Sequence, residues 1–267
     1  MPSPAGRDLV IDGMLDDTTE HGRRGRFTVY RRADVDTDAL LQAVASEGTI
    51  LKESHKSITR RVGPWVVKTG LPTVRRAFWR RRYTQAWRAS LHLARAGVGV
   101  ARPRAFVEER RLGFIFRDHL ITDYLDGYHS VEDHARRLVN QQASPESIAD
   151  FLGRLADSIV ALVAAGACHR DLSGKNIYTS TDGDAFAFID LDSVVLNSPC
   201  SRAMRLKNHV QLYDSFCDLW GPDVLDPFIR CLGFGCRVDA AWLERVRLGQ
   251  CQRRATHRAK QMRRPGS

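Results

Sequence analysis

The sequence predicts an α+β fold in two lobes, a small strand-rich N-terminal one and a larger helical C-terminal one. Three observations carry that expectation. From Phe27 to Leu125 short apolar runs alternate with turn signals, as strands do. From Ser130 onward apolar residues recur at three- and four-residue steps, the helical period. Between the two lies Asp126-Gly127, a turn pair, which places the boundary at Asp123 to Gly127.

Residues 1–26 are polar, rich in glycine and charge, and without a sustained period, which predicts a flexible lead-in. The N-terminal lobe, 27–125, opens with a strand at Phe27-Thr28-Val29-Tyr30 and a short helix from Asp36 to Ala45, with Asp36 as N-cap. Strands at Thr49–Lys52 and Trp65–Lys68 follow, with a third at Ser57–Val62 between them and Gly63-Pro64 as a turn. A strongly basic helix then runs from Thr73 to Ala96. Trp79, Tyr83, Ala86 and Trp87 trace its apolar face and arginines cover the other, either as a solvated face or as a site for anionic lipid or sugar phosphates. Gly97 closes that helix. Strands at Ala105–Glu108 and Gly113–Phe116, the second continuing through Leu125, complete the lobe.

The helical lobe, 126–250, begins with a helix from Ser130 to Val139, where Asp133 completes a capping-box-like start. A second helix spans Ser144 to Ala165. In it Ile148, Phe151, Leu152, Leu155, Ile159, Leu162 and Val163 form a core face, and its end delivers the chain to His169. Beyond Asp192 helices are predicted over Ser201–Trp220, Pro227–Leu232 and Ala240–Leu248, and residues 251–267 form a basic tail.

With 267 residues and 43% hydrophobic content the chain can bury a proper core. The longest apolar run, around Ile159 to Ala167, is too short to span a bilayer, and the N-terminus lacks a signal-peptide core, so the expected location is the cytoplasm. Six cysteines without a C-x-x-C pair or a regular framework predict buried or free thiols rather than a zinc site. A net charge of +10 implies attraction to polyanions: nucleic acid, an anionic membrane surface or a phosphorylated substrate. Charge alone does not choose among them.

The chemistry concentrates in Cys168-His169-Arg170-Asp171-Leu172-Ser173-Gly174-Lys175-Asn176-Ile177 and in Phe186-Ala187-Phe188-Ile189-Asp190-Leu191-Asp192. A His-Arg-Asp-x-x-x-x-Asn loop between a core helix and an apolar strand ending in carboxylates is the order that phosphoryl transfer from ATP requires. Asp171 suits the role of base or orienting group for a hydroxyl nucleophile. Asn176, five residues on, can ligate a metal through its amide oxygen. Asp190 and Asp192 share one face of a strand, and Asp190, directly after the apolar run, is favoured as the metal aspartate, with Asp192 auxiliary. His169 is read as support for the loop. Lys68, at the end of Trp65-Val66-Val67, occupies the strand position from which a lysine neutralises ATP phosphates.

Together Lys68, His169-Arg170-Asp171 with Asn176, and Ile189-Asp190-Leu191-Asp192 resemble the protein-kinase-like fold, and in detail the bacterial lipopolysaccharide core kinases, which include 3-deoxy-D-manno-octulosonic acid (Kdo) kinase. The resemblance runs from about Phe27 to Arg254. It implies a bilobal kinase-like fold and ATP- and Mg2+-dependent transfer of the γ-phosphate to a sugar hydroxyl of the lipid A core, at the cytoplasmic face of the inner membrane. Carried over to this sequence, Asp171 is the catalytic aspartate, Lys68 the phosphate-binding lysine, Asn176 and Asp190 the magnesium ligands, and Leu125 the hinge residue that meets adenine. The acceptor it implies is a lipid-linked sugar, with the basic helix and tail meeting anionic lipid and core phosphates.

Two departures stand out. No acidic residue occurs from Thr73 to Arg95, so the helix glutamate that pairs with a kinase lysine is replaced by Ala86, with Gln85 beside it, which leaves Lys68 to another carboxylate or to none. The loop Glu53 to Arg61 lacks Gly-x-Gly-x-x-Gly, which leaves phosphate cradling to Ser54, Ser57 and backbone amides. The same catalytic residues would serve a protein or metabolite hydroxyl, and the missing glutamate favours a pseudokinase binding module. Nucleic-acid binding is disfavoured by the lack of a zinc, RRM or helix-turn-helix signature.

Overall fold

A computed structural model of the chain describes residues 18–71, 83–112, 114–198, 200–233 and 237–262. They form two compact units. The first holds the described residues up to Arg95 together with Val100–Asp126 and Asp190–Val194; the second holds Ala96–Gly99, Gly127–Ile189 and the described residues from Val195.

The first unit is built on an antiparallel sheet of seven strands among the described residues. In chain order these are β1 (Thr19–Arg24), β2 (Phe27–Arg32), β3 (Thr49–Ser54), β4 (Ser57–Val62), β5 (Trp65–Gly70), β6 (Pro103–Arg111) and β7 (Phe114–Asp123), and they lie side by side as β1-β2-β6-β7-β5-β4-β3. Helix α1 (Thr37–Ala45) starts where Asp36 accepts a hydrogen bond from the Ala39 amide at 2.8 Å. Its Leu40 and Ala43 pack on Val29, Val67, Val107 and Ile121 of the sheet, and Trp65 and Phe27 close the edge of that cluster. Helix α2 (Thr84–Arg95) buries Ala86, Trp87 and Leu93. The first part of the predicted basic helix, with Trp79 and the arginines Arg75 to Arg82, lies outside the described residues.

One correction concerns the lead-in. Residues 19–24 are a strand, fully paired with β2 from Thr19↔Arg32 to Arg24↔Phe27. Polar composition hid it, because β1 is an exposed edge strand with no buried face to impose apolar alternation.

The second unit contains a small sheet in the order β11 (Phe186–Phe188), β10 (Ile177–Ser180), β8 (Tyr128–Ser130), with β9 (Ala167–His169) leading into the polar loop. Its helices are α3 (Val131–Asn140), α4 (Pro145–Ala164), α5 (Arg202–Phe216), α6 (Pro222–Leu232) and α7 (Ala240–Met262). Ser130 and Ser144 cap α3 and α4 as their sequences imply. Helix α4 buries Phe151, Leu152, Leu155, Ile159 and Leu162 and packs on α6.

Three helix limits differ from expectation, the first being that α5 ends at Phe216 rather than Trp220. Helix α6 starts at Pro222, a first-turn position where the missing N–H has no helical partner to lose, and it continues through Pro227, which forfeits one interior backbone bond. Helix α7 runs through to Met262, so the basic tail starts inside a helix. Its charge disguised it, but Arg253 and Arg254 bind Asp214 of α5 at 3.0 and 2.7 Å, which fastens that stretch to the unit.

Candidate active site

Lys68 lies on β5 between Thr59 of β4 and Leu120 of β7, so neighbours on both sides fix its direction. Its ammonium bonds Asp190, lies 3.5 Å from Asp192 Oδ1, and sits 5.4 Å from the centre of the buried Tyr83 ring. The partner left open by the missing helix glutamate is therefore the carboxylate pair that follows β11. Ala86 is buried, while the Gln85 side-chain amide donates to the Val194 carbonyl, and α2 packs on the turn Leu191–Ser193. The helix is thus tied to the carboxylate segment through its backbone rather than to the lysine.

Asp190 adopts a left-handed backbone, φ 59° and ψ 43°. Aspartate and asparagine tolerate this region better than other residues with a Cβ. Burial acts to raise the Asp190 carboxyl, but the interaction with Asp192 and the positive charges of Lys68 and Lys52 outweigh it and hold the group well below the usual carboxylate range. It stays an anion.

The β3–β4 turn has its own hydrogen bonds. Ser54 Oγ accepts from the amides of Lys56 and Ser57 at 3.3 and 3.1 Å, so those two donors are already engaged. Leu125 lies half-buried just past β7, next to Tyr124, whose amide donates to Pro64 O at 2.8 Å.

In the second unit the loop after β9 orders itself around His169, which is only 1% exposed. Its Nδ1 accepts from the Asp171 amide at 3.2 Å and its Nε2 lies 3.2 Å from the Ile189 carbonyl. That pair of partners fits the tautomer protonated at Nε2, which donates to Ile189, the residue before Asp190. The Ile189 amide in turn donates to Asn176 O at 3.0 Å.

Asp171 is clamped on both carboxylate oxygens. Gln211 Nε2 of α5 donates to Oδ1 at 2.6 Å, and Asn176 Nδ2 donates to Oδ2 at 3.2 Å and to the Asp171 carbonyl at 2.8 Å. With its NH2 group turned to Asp171, Asn176 has its amide oxygen as the atom of metal-ligand character. A Cβ at Gly174 would lie 2.6 Å from Glu132 Cγ and 3.1 Å from Ser215 Cβ, so any other residue there would have to displace the Glu132 side chain. Its amide donates to Ser215 Oγ at 2.8 Å, and Lys207 Nζ reaches the Arg170 carbonyl at 2.5 Å. Helix α5 thus supports the loop at three points.

Sequence reading missed Gln211, Ser215 and Lys207. The sequence carried no signal for them, since the burial of Asn208, His209 and Gln211 is visible only once α5 is packed.

No three His, Cys, Asp or Glu side chains converge among the described residues. Magnesium in nucleotide sites needs only one or two carboxylates, the rest of its shell coming from phosphates and water. Asp190 and Asp192 of the first unit are hard oxygen donors of that kind, as is the Asn176 oxygen of the second, so the donor types present suit the ion.

The cysteines need a correction. Cys168, the residue before His169, forms a disulfide with Cys200, with the Cα atoms 5.5 Å apart. A separation of 32 residues with no surrounding framework gave no sequence signal for it. Cys217, Cys231 and Cys251 are free.

No helix of the described residues is long and apolar enough to cross a membrane. No curated protein matches the chain by sequence. Among solved structures that match is one described as "WaaP in complex with acyl carrier protein", which shares 21% identity and a TM-score of 0.56 over 73% of this chain and 82% of that one. That likeness is one of fold. Residues 56–226 match the lipopolysaccharide kinase (Kdo/WaaP) family, a span that takes in Lys68, Asp171, Asn176 and Asp190. With more than half of its length inside that match, the chain belongs to the lipopolysaccharide kinase (Kdo/WaaP) family and is a phosphotransferase of the kinase class.

Proposed function

We propose that the protein transfers the γ-phosphate of ATP to a sugar hydroxyl of the lipopolysaccharide core. The observation that carries this reading is the clamped Asp171 carboxylate, bonded by Gln211 at 2.6 Å and Asn176 at 3.2 Å. A carboxylate fixed in this way orients an incoming hydroxyl and accepts its hydrogen bond as the bond to phosphorus forms. Lys68 neutralises phosphate oxygens. Its ammonium rests on Asp190 and Asp192, so an anionic phosphate would compete with carboxylates already charged and close by. Asn176 and Asp190 would hold Mg2+, with Asp192 beside them, and the ion supplies charge neutralisation on the triphosphate. Leu125 would line the adenine site.

Family membership supports a lipopolysaccharide acceptor. The net charge of +10 supports an anionic one. A pseudokinase is disfavoured by the intact set Lys68, Asp171, Asn176 and Asp190.

The test is mass-resolved transfer from ATP and Mg2+ to lipopolysaccharide precursors. Wild type adds one phosphate to a core sugar and Asp171→Ala adds none. A wild-type protein that turns over no core acceptor while phosphorylating a protein or metabolite hydroxyl would redirect the substrate, and an active Asp171→Ala would remove the assignment.

A further inference from the structure

We propose that the end of the first unit's sheet formed by the β1–β2 and β6–β7 hairpins docks on an anionic lipid bilayer, with Leu112 and Phe114 entering the headgroup layer. The two hairpin ends lie side by side. Phe27 of β2 is opposite Glu109 of β6, and the Arg110 amide donates to Arg26 O at 2.8 Å. Leu112 is 97% exposed, the most of any large apolar residue among those described, and Phe114 is 52% exposed. Leu112 also holds a left-handed backbone, φ 48°, an unfavourable conformation for a leucine.

Arginines surround this tip. Arg24, Arg26 and Arg111 are exposed, and Arg110 and Arg117 are half-buried. The buried Glu108 and Glu109 pair with Arg110 at 2.8 Å and with Arg26 and Arg111 at 3.2 Å. The Arg111 guanidinium lies 3.9 Å from the Phe116 ring centre. These contacts aim the cations while leaving positive charge in excess of the two carboxylates.

An apolar tip inside a ring of arginines is complementary to one surface in particular, an anionic bilayer interface, where phosphates meet the cations and acyl chains meet the leucine and phenylalanine. Nucleic acid would reward the arginines and not the leucine. Among the described residues the basic end of α7 is less available, because Arg253 and Arg254 are held by Asp214 and Asp218.

Sedimentation of the full chain with phosphatidylethanolamine vesicles, with and without phosphatidylglycerol, tests this. It uses no nucleotide and no acceptor, so it stands apart from the catalytic assignment. Wild type should sediment with the phosphatidylglycerol vesicles and be released by salt. Leu112→Ser with Phe114→Ser should weaken binding about tenfold or more, and Arg24→Gln with Arg111→Gln roughly fivefold per arginine. Leu112→Trp should bind at least as tightly as wild type, since indole favours the interface. The arginine pair and Leu112→Trp keep the surface testable even where the serine pair alters folding. Wild type that sediments with neither vesicle, sediments equally with both, or sediments no better than the serine pair overturns the proposal. So does preference for DNA or an acidic protein over the vesicles.

Discussion

Asp190 combines an unusual backbone with a charge that the site needs, and substitutions can separate the two. Asparagine accepts the left-handed conformation at φ 59° but carries no charge, whereas alanine loses both properties. Asp190→Asn should therefore fold nearly as wild type yet bind ATP with Mg2+ weakly. Asp190→Ala should be less stable than Asp190→Asn by about 1 kcal/mol. Denaturant titration and nucleotide binding measured on both proteins check this. Gln211 holds Asp171 Oδ1 at 2.6 Å without being a candidate to touch substrate. For Gln211→Leu we expect kcat to fall about tenfold to a hundredfold with KM for ATP unchanged, the pattern of a misoriented base. A raised KM at unchanged kcat would contradict that role. Asp171, Asn176 and Asp190 were legible because their types and spacing carry chemistry. Gln211 was not, because a lone glutamine in a helix is chemically mute until the fold brings it to a carboxylate.

At the level of elements, each unit buries a histidine as the neutral base. His119 on β7, bonded to Thr69 at 3.0 Å, is pushed down to about 3 by burial and then by Arg117 and Arg60. His209 on α5, which accepts from Trp242 Nε1 at 2.8 Å, is pushed down to about 4 by burial and then by Arg205. Both take up protons more readily when unfolded, so stability is full above the ordinary histidine value and is lost as pH falls toward the folded values. Between about pH 7 and pH 5 each should cost about 2 kcal/mol at most. Thermal unfolding across that range should show the loss, and His119→Gln should reduce its slope; a flat profile in wild type would contradict the burial argument.

The disulfide ties β9 to the segment before α5, and closing a loop of 32 residues should stabilise by about 3–4 kcal/mol. Dithiothreitol should lower the melting temperature of wild type and leave a Cys168→Ala/Cys200→Ala protein unaffected. Equal response in both would show that the bridge does not form. Helices α1, α3 and α4 were legible because their caps and apolar faces are written locally. Edge strand β1 and the end of α7 were not, since each is polar and is held by partners distant in sequence, β2 for one and Asp214 for the other.

At the scale of the whole molecule, the α+β division could be read because strand and helix periods change at Asp126-Gly127. The structure adds that the chain crosses between its units more than once, since Ala96–Gly99 belongs to the second and Asp190–Val194 to the first. Hydrophobic patterning cannot reveal that crossing, because it reports which residues are buried and not against what. The crossing puts Asp190 in the unit of Lys68 while its chain neighbour Ile189 is bonded by His169 and Asn176 in the unit of Asp171. The central claim is that these residues divide the work of one phosphoryl transfer. ATP binding and phosphate transfer, measured in parallel on Asp171→Asn and Lys68→Met, test it most directly. We predict that Asp171→Asn binds ATP as wild type does but transfers phosphate about a thousandfold more slowly, and that Lys68→Met loses both. Transfer by Asp171→Asn at the wild-type rate would contradict the account.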